Sequence, residues 1–130
     1  MVNSIFIGKV IFNILSTNPV LTPLVGNKIY PLVAEQTTEY PFIVYFRDSI
    51  TNKTYTKDGY CEDLVTFTIN CVSTDYSEGL EIANEVRKCL EKPKIESEYM
   101  TIYNCRINNI DESFTDNAYV QTLSFSCTIE

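Results

Sequence analysis

No histidine occurs among the 130 residues, which removes the Ser-His and Cys-His dyads and with them the commonest ways of activating a hydroxyl or thiol nucleophile. Carboxylates are the next candidates. Two adjacent pairs, Glu62-Asp63 and Asp111-Glu112, stand out. Both fall in segments read as turns, where carboxylates solvate the chain, whereas general acid–base work needs a shielded, geometry-matched site. The five cysteines, Cys61, Cys71, Cys89, Cys105 and Cys127, are odd in number, widely spaced and contain no C-x-x-C pair. A structural zinc site draws on closely spaced Cys or His pairs, so neither a metal nor a disulfide framework is expected. Cys71, Cys105 and Cys127 share the phase of Phe67, Ile69, Ile107 and Phe125 and read as small buried hydrophobes, reduced and inert. No phosphate-cradling motif is present and there are only four glycines, so no nucleotide cofactor is expected. The expectation is a protein that is not an enzyme, with no catalytic, metal or cofactor residues.

A formal net charge of −7 argues against sequence-independent nucleic-acid binding, which relies on Lys and Arg to displace phosphate counterions. The same charge suits a wall that DNA must pass without sticking. Nine tyrosines and seven phenylalanines lack interleaved Arg and Lys, so packing accounts for them better than base stacking. The opening "MVNSIFIGKVIFNIL" has a lysine inside its apolar run and no small-residue cleavage site. It is shorter than the roughly 20 apolar residues that span a bilayer. A reducing cytosol and no membrane are expected.

The elements that must position these residues follow from period and punctuation. Ile7, Val10, Ile11, Ile14 and Leu15 recur at helical spacing and define a first helix ending near Thr17, where Pro19 and Pro23 follow. "KIYPLVAE" reads as a short strand whose Pro31, lacking an N–H, belongs at an edge. "PFIVYFRDSI" is a β-branched and aromatic strand with Pro41 at its mouth. "TNKTYTKDGYCED" carries the turn dipeptide Asp58-Gly59 and either loops out or extends as a hairpin. "LVTFTINCV" alternates, with Val65, Phe67, Ile69 and Cys71 on one face. Leu80, Ala83, Val86 and Leu90 then mark an amphipathic helix, capped by Ser77 or Asp75 and closed by Pro93. Tyr103, Cys105 and Ile107 share a face of one closing strand, and Leu123, Phe125, Cys127 and Ile129 a face of the other, with "DESFTDNA" as their connection. The expected architecture is a single α+β domain, residues 1–130, with a mostly antiparallel sheet of four to five strands and two helices packed on one face.

Taken in order, "LVGNKIYPLVAEQ", "YPFIVYFRDS" and "VTFTINCVSTDYSEGLEIANEVRKCL", with two closing strands after them, resemble the small phage and prophage tail-completion (tail-terminator, head–tail joining) proteins. The first looks like that family's Leu-Val-Gly-x-x-Ile-Tyr-Pro segment, the second like its Pro-aromatic-Ile-Val-Tyr strand. The third looks like its strand, Tyr-containing turn and Ala-bearing helix. The resemblance implies a structural virion subunit, assembled in the host cytoplasm. It forms a homo-oligomeric ring, commonly a hexamer, at the head-proximal end of the tail. There it would end tube growth, meet tail-tube and head-completion proteins, and let genomic DNA through its lumen without specific binding. The alternative is a monomeric or dimeric module that recognises a peptide by sheet-edge addition. In a ring, the polar stretch Asp48 to Glu62 would line the lumen or reach a neighbour, with Lys53, Tyr55, Lys57 and Tyr60 as the interface residues.

Overall fold

A computed structural model describes the backbone of residues 3–56 and 59–130, and their side chains outside 53–61. A 3-10 turn, Ser4–Phe6, leads into helix α1 (Ile7–Ser16). Its inner stripe of Ile7, Val10, Ile11 and Leu15 is buried, as the spacing requires, and the helix ends one residue before Thr17.

A second helix, α2 (Leu21–Val25), then forms where the prolines were read as ending helical structure. The Asn18 side chain accepts hydrogen bonds from the backbone N–H groups of Val20 (2.8 Å) and Leu21 (3.1 Å), and Pro23 sits in the first turn, where a helix has no use for its missing donor. Gly26 ends α2 at φ 62°, a conformation that costs glycine least.

Strand β1 (Ile29–Pro31) pairs in parallel with β2 (Phe42–Thr56). β1 is shorter than expected because Leu32 adopts φ 66° and turns the chain away. β2 runs antiparallel to β3 (Gly59–Ser73), and their ladder continues to Thr56 opposite Gly59. Residues 51–56 and 59–63 are therefore strand, the hairpin alternative for this stretch.

Helix α3 (Tyr76–Leu90) follows; the Asp75 carboxylate caps it by accepting from the Ser77 N–H at 3.1 Å. Its buried face is Gly79, Ile82, Ala83, Val86 and Leu90. Leu80, expected in that stripe, is 41% exposed. Gly79 and Ile82 hold the inner face, and one residue's step of about 100° carries Leu80 off it.

Strand β4 (Lys94–Glu96) is a short edge that the sequence reading missed, and β5 (Thr101–Thr115) and β6 (Ala118–Ile129) form the last hairpin. Asp116 and Asn117, both at positive φ (53° and 63°), make its turn, a conformation that these two residue types tolerate. "DESFTDNA" is thus mostly strand. In β5, Asn104 adopts φ 52° within a register shift between Tyr103 and Arg106. This bulge restores the inward phase one residue late. Ile102 and Cys105 are buried, and Tyr103, expected on their face, turns out to be half-exposed.

Among the described residues the sheet has six strands in the order β1-β2-β3-β6-β5-β4, mixed because of the parallel β1–β2 pair, against the expected four to five, and three α-helices accompany it, against two. One core cluster joins the helices to the sheet. At its centre Phe67 of β3 stacks on its cross-strand partner Phe125 of β6, ring centroids 5.0 Å apart, a pairing worth more than its area alone.

Candidate assembly surfaces

Of Lys53, Tyr55, Lys57 and Tyr60, the interface residues expected from sequence, Lys53 and Tyr55 are in β2 and Tyr60 in β3. Lys57 and the side chains of the other three lie outside the described residues. The backbone brings two of them opposite each other, Tyr55 pairing with Tyr60.

Two apolar surfaces lie bare elsewhere. The first is over α1. Ile5, Phe6 and Phe12 fall outside the helix's inner stripe and are exposed, Ile5 by 72%. A groove of about 810 Å³ runs past them. One wall comes from Pro31 and Tyr45, the other from Ile95 to Tyr99, so the sheet curls far enough for β1, β2 and β4 all to border the same helix. Phe6 stacks on Tyr99 (6.0 Å), and the Lys9 ammonium lies 5.5 Å from both ring centroids, within cation–π reach. Burial pushes the Tyr45 phenol above its ordinary range. The signal for this surface is present in the sequence: Phe6 and Phe12 make α1 apolar beyond the stripe that one core needs.

The second surface is a ledge on the β5–β6 hairpin. Register places Ile110 opposite Leu123, Glu112 opposite Gln121 and Phe114 opposite Tyr119. These pairs continue the core face of the sheet past the start of α3. Phe114 is 59% and Ile110 40% exposed. Tyr119 packs against Phe114 (5.0 Å) and edge-on to Tyr76 (5.3 Å). The Tyr76 hydroxyl and the Gln121 amide donate to the Glu112 carboxylate at 2.8 and 3.0 Å and hold it below the usual range, Gln121 first.

The candidate acids are not turn residues. Glu62 and Asp63 are in β3, and Asp111 and Glu112 in β5, because both hairpins extend as ladders. Asp63 is buried and accepts from the buried Ser4 hydroxyl at 2.6 Å, which fastens the 3-10 turn to β3; its other oxygen has no partner among the described residues. Cys71, Cys89, Cys105 and Cys127 are free thiols. Burial pushes the Cys89 thiol up to about 11 and raises Cys71 further. Cys105 is raised by its hydrogen bond with Cys127 and then by burial. Among the described residues no group of three Cys, Asp or Glu is placed to hold a metal, and no helix is long and apolar enough to cross a membrane.

Comparison with known proteins adds to these surfaces. A protein from the virion of a native gene transfer agent particle has a similar fold, with a TM-score of 0.76 at 15% identity over 92% of this chain and 91% of that one. A second solved structure aligns at a TM-score of 0.60 and 14% identity, over 79% of each chain. No curated protein matches. The family model described as tail completion protein gp17 matches residues 9–130, nearly the whole sequence, and the chain therefore belongs to that family of phage tail structural proteins.

Proposed function

We propose that the chain acts as one domain and is a ring subunit at the head-proximal end of a phage or prophage tail, where it ends tube growth and joins tail to head. The observation that carries this reading is the pair of bare apolar surfaces, the α1 groove and the β5–β6 ledge, on a chain of the tail completion family. Apolar surface of this kind needs a partner. Two unlike surfaces on one chain suit head-to-tail contacts, which close into rings. In the ring the β2–β3 hairpin, with Lys53, Tyr55, Lys57 and Tyr60, reaches the lumen, a neighbour or the tail tube. The net charge of −7 lets genomic DNA pass without adhering, and assembly takes place in the host cytoplasm.

Sheet-edge addition of a peptide is the weaker reading. β1 and β4 cover only three residues each of the longer β2 and β5, so edge is left for an added strand, but this mode leaves the two bare apolar surfaces unexplained. Reconstitution tests the proposal. Particles assembled without this chain are expected to show filled heads separate from tails of irregular length, and the purified chain to restore joined, infective particles. Normal particles in its absence would overturn the reading.

A further inference from the structure

We propose that the tip of the β5–β6 hairpin binds a basic corner at the C-terminal end of α3 on a second copy of this chain, so that copies join head to tail. This rests on the ring reading and names its contact.

The tip is acidic and aromatic. Beyond Arg106 the sequence contains no lysine or arginine, while Asp111, Glu112 and Asp116 are all exposed. On the face of β5 that carries Glu112 the ledge presents Phe114, and Tyr119 with Tyr76 of α3 against its edge, while Asp111 lies on the opposite face near the same tip. Carboxylates next to bare aromatic faces are the chemistry that recognises guanidinium and ammonium groups.

The complementary surface is on the same molecule. Five of the ten basic residues, Arg87, Lys88, Lys92, Lys94 and Arg106, fall within 87–106, and all five are exposed. The β5 bulge gathers them: the N–H groups of Asn104 and Cys105 donate to the carbonyls of Pro93 (2.8 Å) and Lys92 (3.0 Å), which lays the chain after α3 against Arg106. A shallow hollow of about 220 Å³ forms there, lined by Lys92, Pro93 and Arg106. Arg87 is bridged to Glu91 and Lys94 to Glu96. Lys88, Lys92 and Arg106 make no salt bridge among the described residues.

One molecule cannot bring the two surfaces together. Along β5, Arg106 is about 17 Å from Asp111 and about 33 Å from Asp116 at strand rise, both beyond a Debye length of about 8 Å. Opposite charges held apart by a rigid ladder satisfy one another only between copies, and the contact is heterologous because the two surfaces differ.

Two variants of the full chain test this by sedimentation velocity. The first, Asp111→Lys, Glu112→Gln, Thr115→Lys and Asp116→Asn, replaces the tip's three negative charges with two positive ones. It keeps an acceptor for Tyr76 and a residue that tolerates the turn. The second is Lys88→Glu, Lys92→Glu and Arg106→Glu. Each alone is expected to stay monomeric where the wild type assembles, and an equimolar mixture to assemble again, since each variant's tip then faces an opposite charge. Wild-type assembly is expected to weaken as salt rises. If either multiple variant fails to fold, a milder pair, Asp111→Lys and Arg106→Glu, serves instead: each alone is expected to weaken assembly, and a mixture to assemble more strongly than either alone. A wild type that assembles while both variants also assemble, or while folded variants fail to recover on mixing, overturns this contact and leaves the ring standing. A wild type that stays monomeric at every concentration overturns both.

Discussion

Glu91 shows how one side chain fixes the corner where helix and sheet meet. It follows the last residue of α3, and its carboxylate accepts from the Ile107 N–H at 2.8 Å and from Arg87 Nε at 2.9 Å. These bonds, the backbone donor first, hold its pKa below the ordinary glutamate range. A depressed carboxylate contributes stability that is present above its unfolded pKa of about 4.3 and is lost as pH falls through the lower folded value. Glu91→Gln should therefore lower the melting temperature at pH 7, and the gap to wild type should close as pH falls through the acid range. A gap that stays constant from pH 7 to pH 3 would show that the charge contributes nothing. The thiols make a second case at this scale. Cys71, Cys89 and Cys105 are all held protonated, by burial and, for Cys105, first by Cys127. A thiolate-dependent reagent at pH 8 should leave these three almost untouched in the folded protein. It should count five thiols after unfolding without reductant, and a count of three would reveal a disulfide.

Among the elements, the proposed ring contact gives the far ends of the long hairpins a role in assembly rather than in folding. Replacing residues 53–62 by Asn-Gly leaves Asn52 and Asp63, already paired, as the last rung before a turn that favours this dipeptide. The melting temperature should change little while joined particles are lost. Unimpaired joining would reduce the hairpin end to a connection. What sequence revealed also divides at this scale. The stripes of α1 and α3 and the alternation of β3 and β6 were legible because each element faces one core and repeats its own period. The bulge at Asn104 was not, since it is set by pairing with β6, and neither was β4, whose three residues are too few to show a period. Helix α2 was hidden because Pro23 reads locally as a breaker, and only the Asn18 cap shows where a helix begins. Polarity likewise disguised the tip of β5 as a loop, although Ile110, Glu112 and Phe114 alternate there with the phase of a strand. Of the candidate interface, the hairpin was legible as a distinct polar stretch. The α1 groove was not, because its far wall, Ile95 to Tyr99, comes from a distant part of the chain.

For the whole molecule, curl and charge placement matter more than any single residue. The sheet bends until strands from both its edges border α1, leaving an apolar groove. The far hairpin runs beyond the start of α3 and leaves an apolar ledge, and acids gather toward the hairpin tip while bases gather around the end of α3 and Arg106. A monomer gains nothing from exposing such surfaces, and the proposed head-to-tail ring would cover them. The most direct measurement is molar mass in solution by light scattering across a concentration series, with images of the same sample. The account predicts a discrete species that is a fixed multiple of the 14.9 kDa chain and appears as a closed ring with a central opening. A particle of 14.9 kDa at every concentration, with no rings in the images, would contradict it.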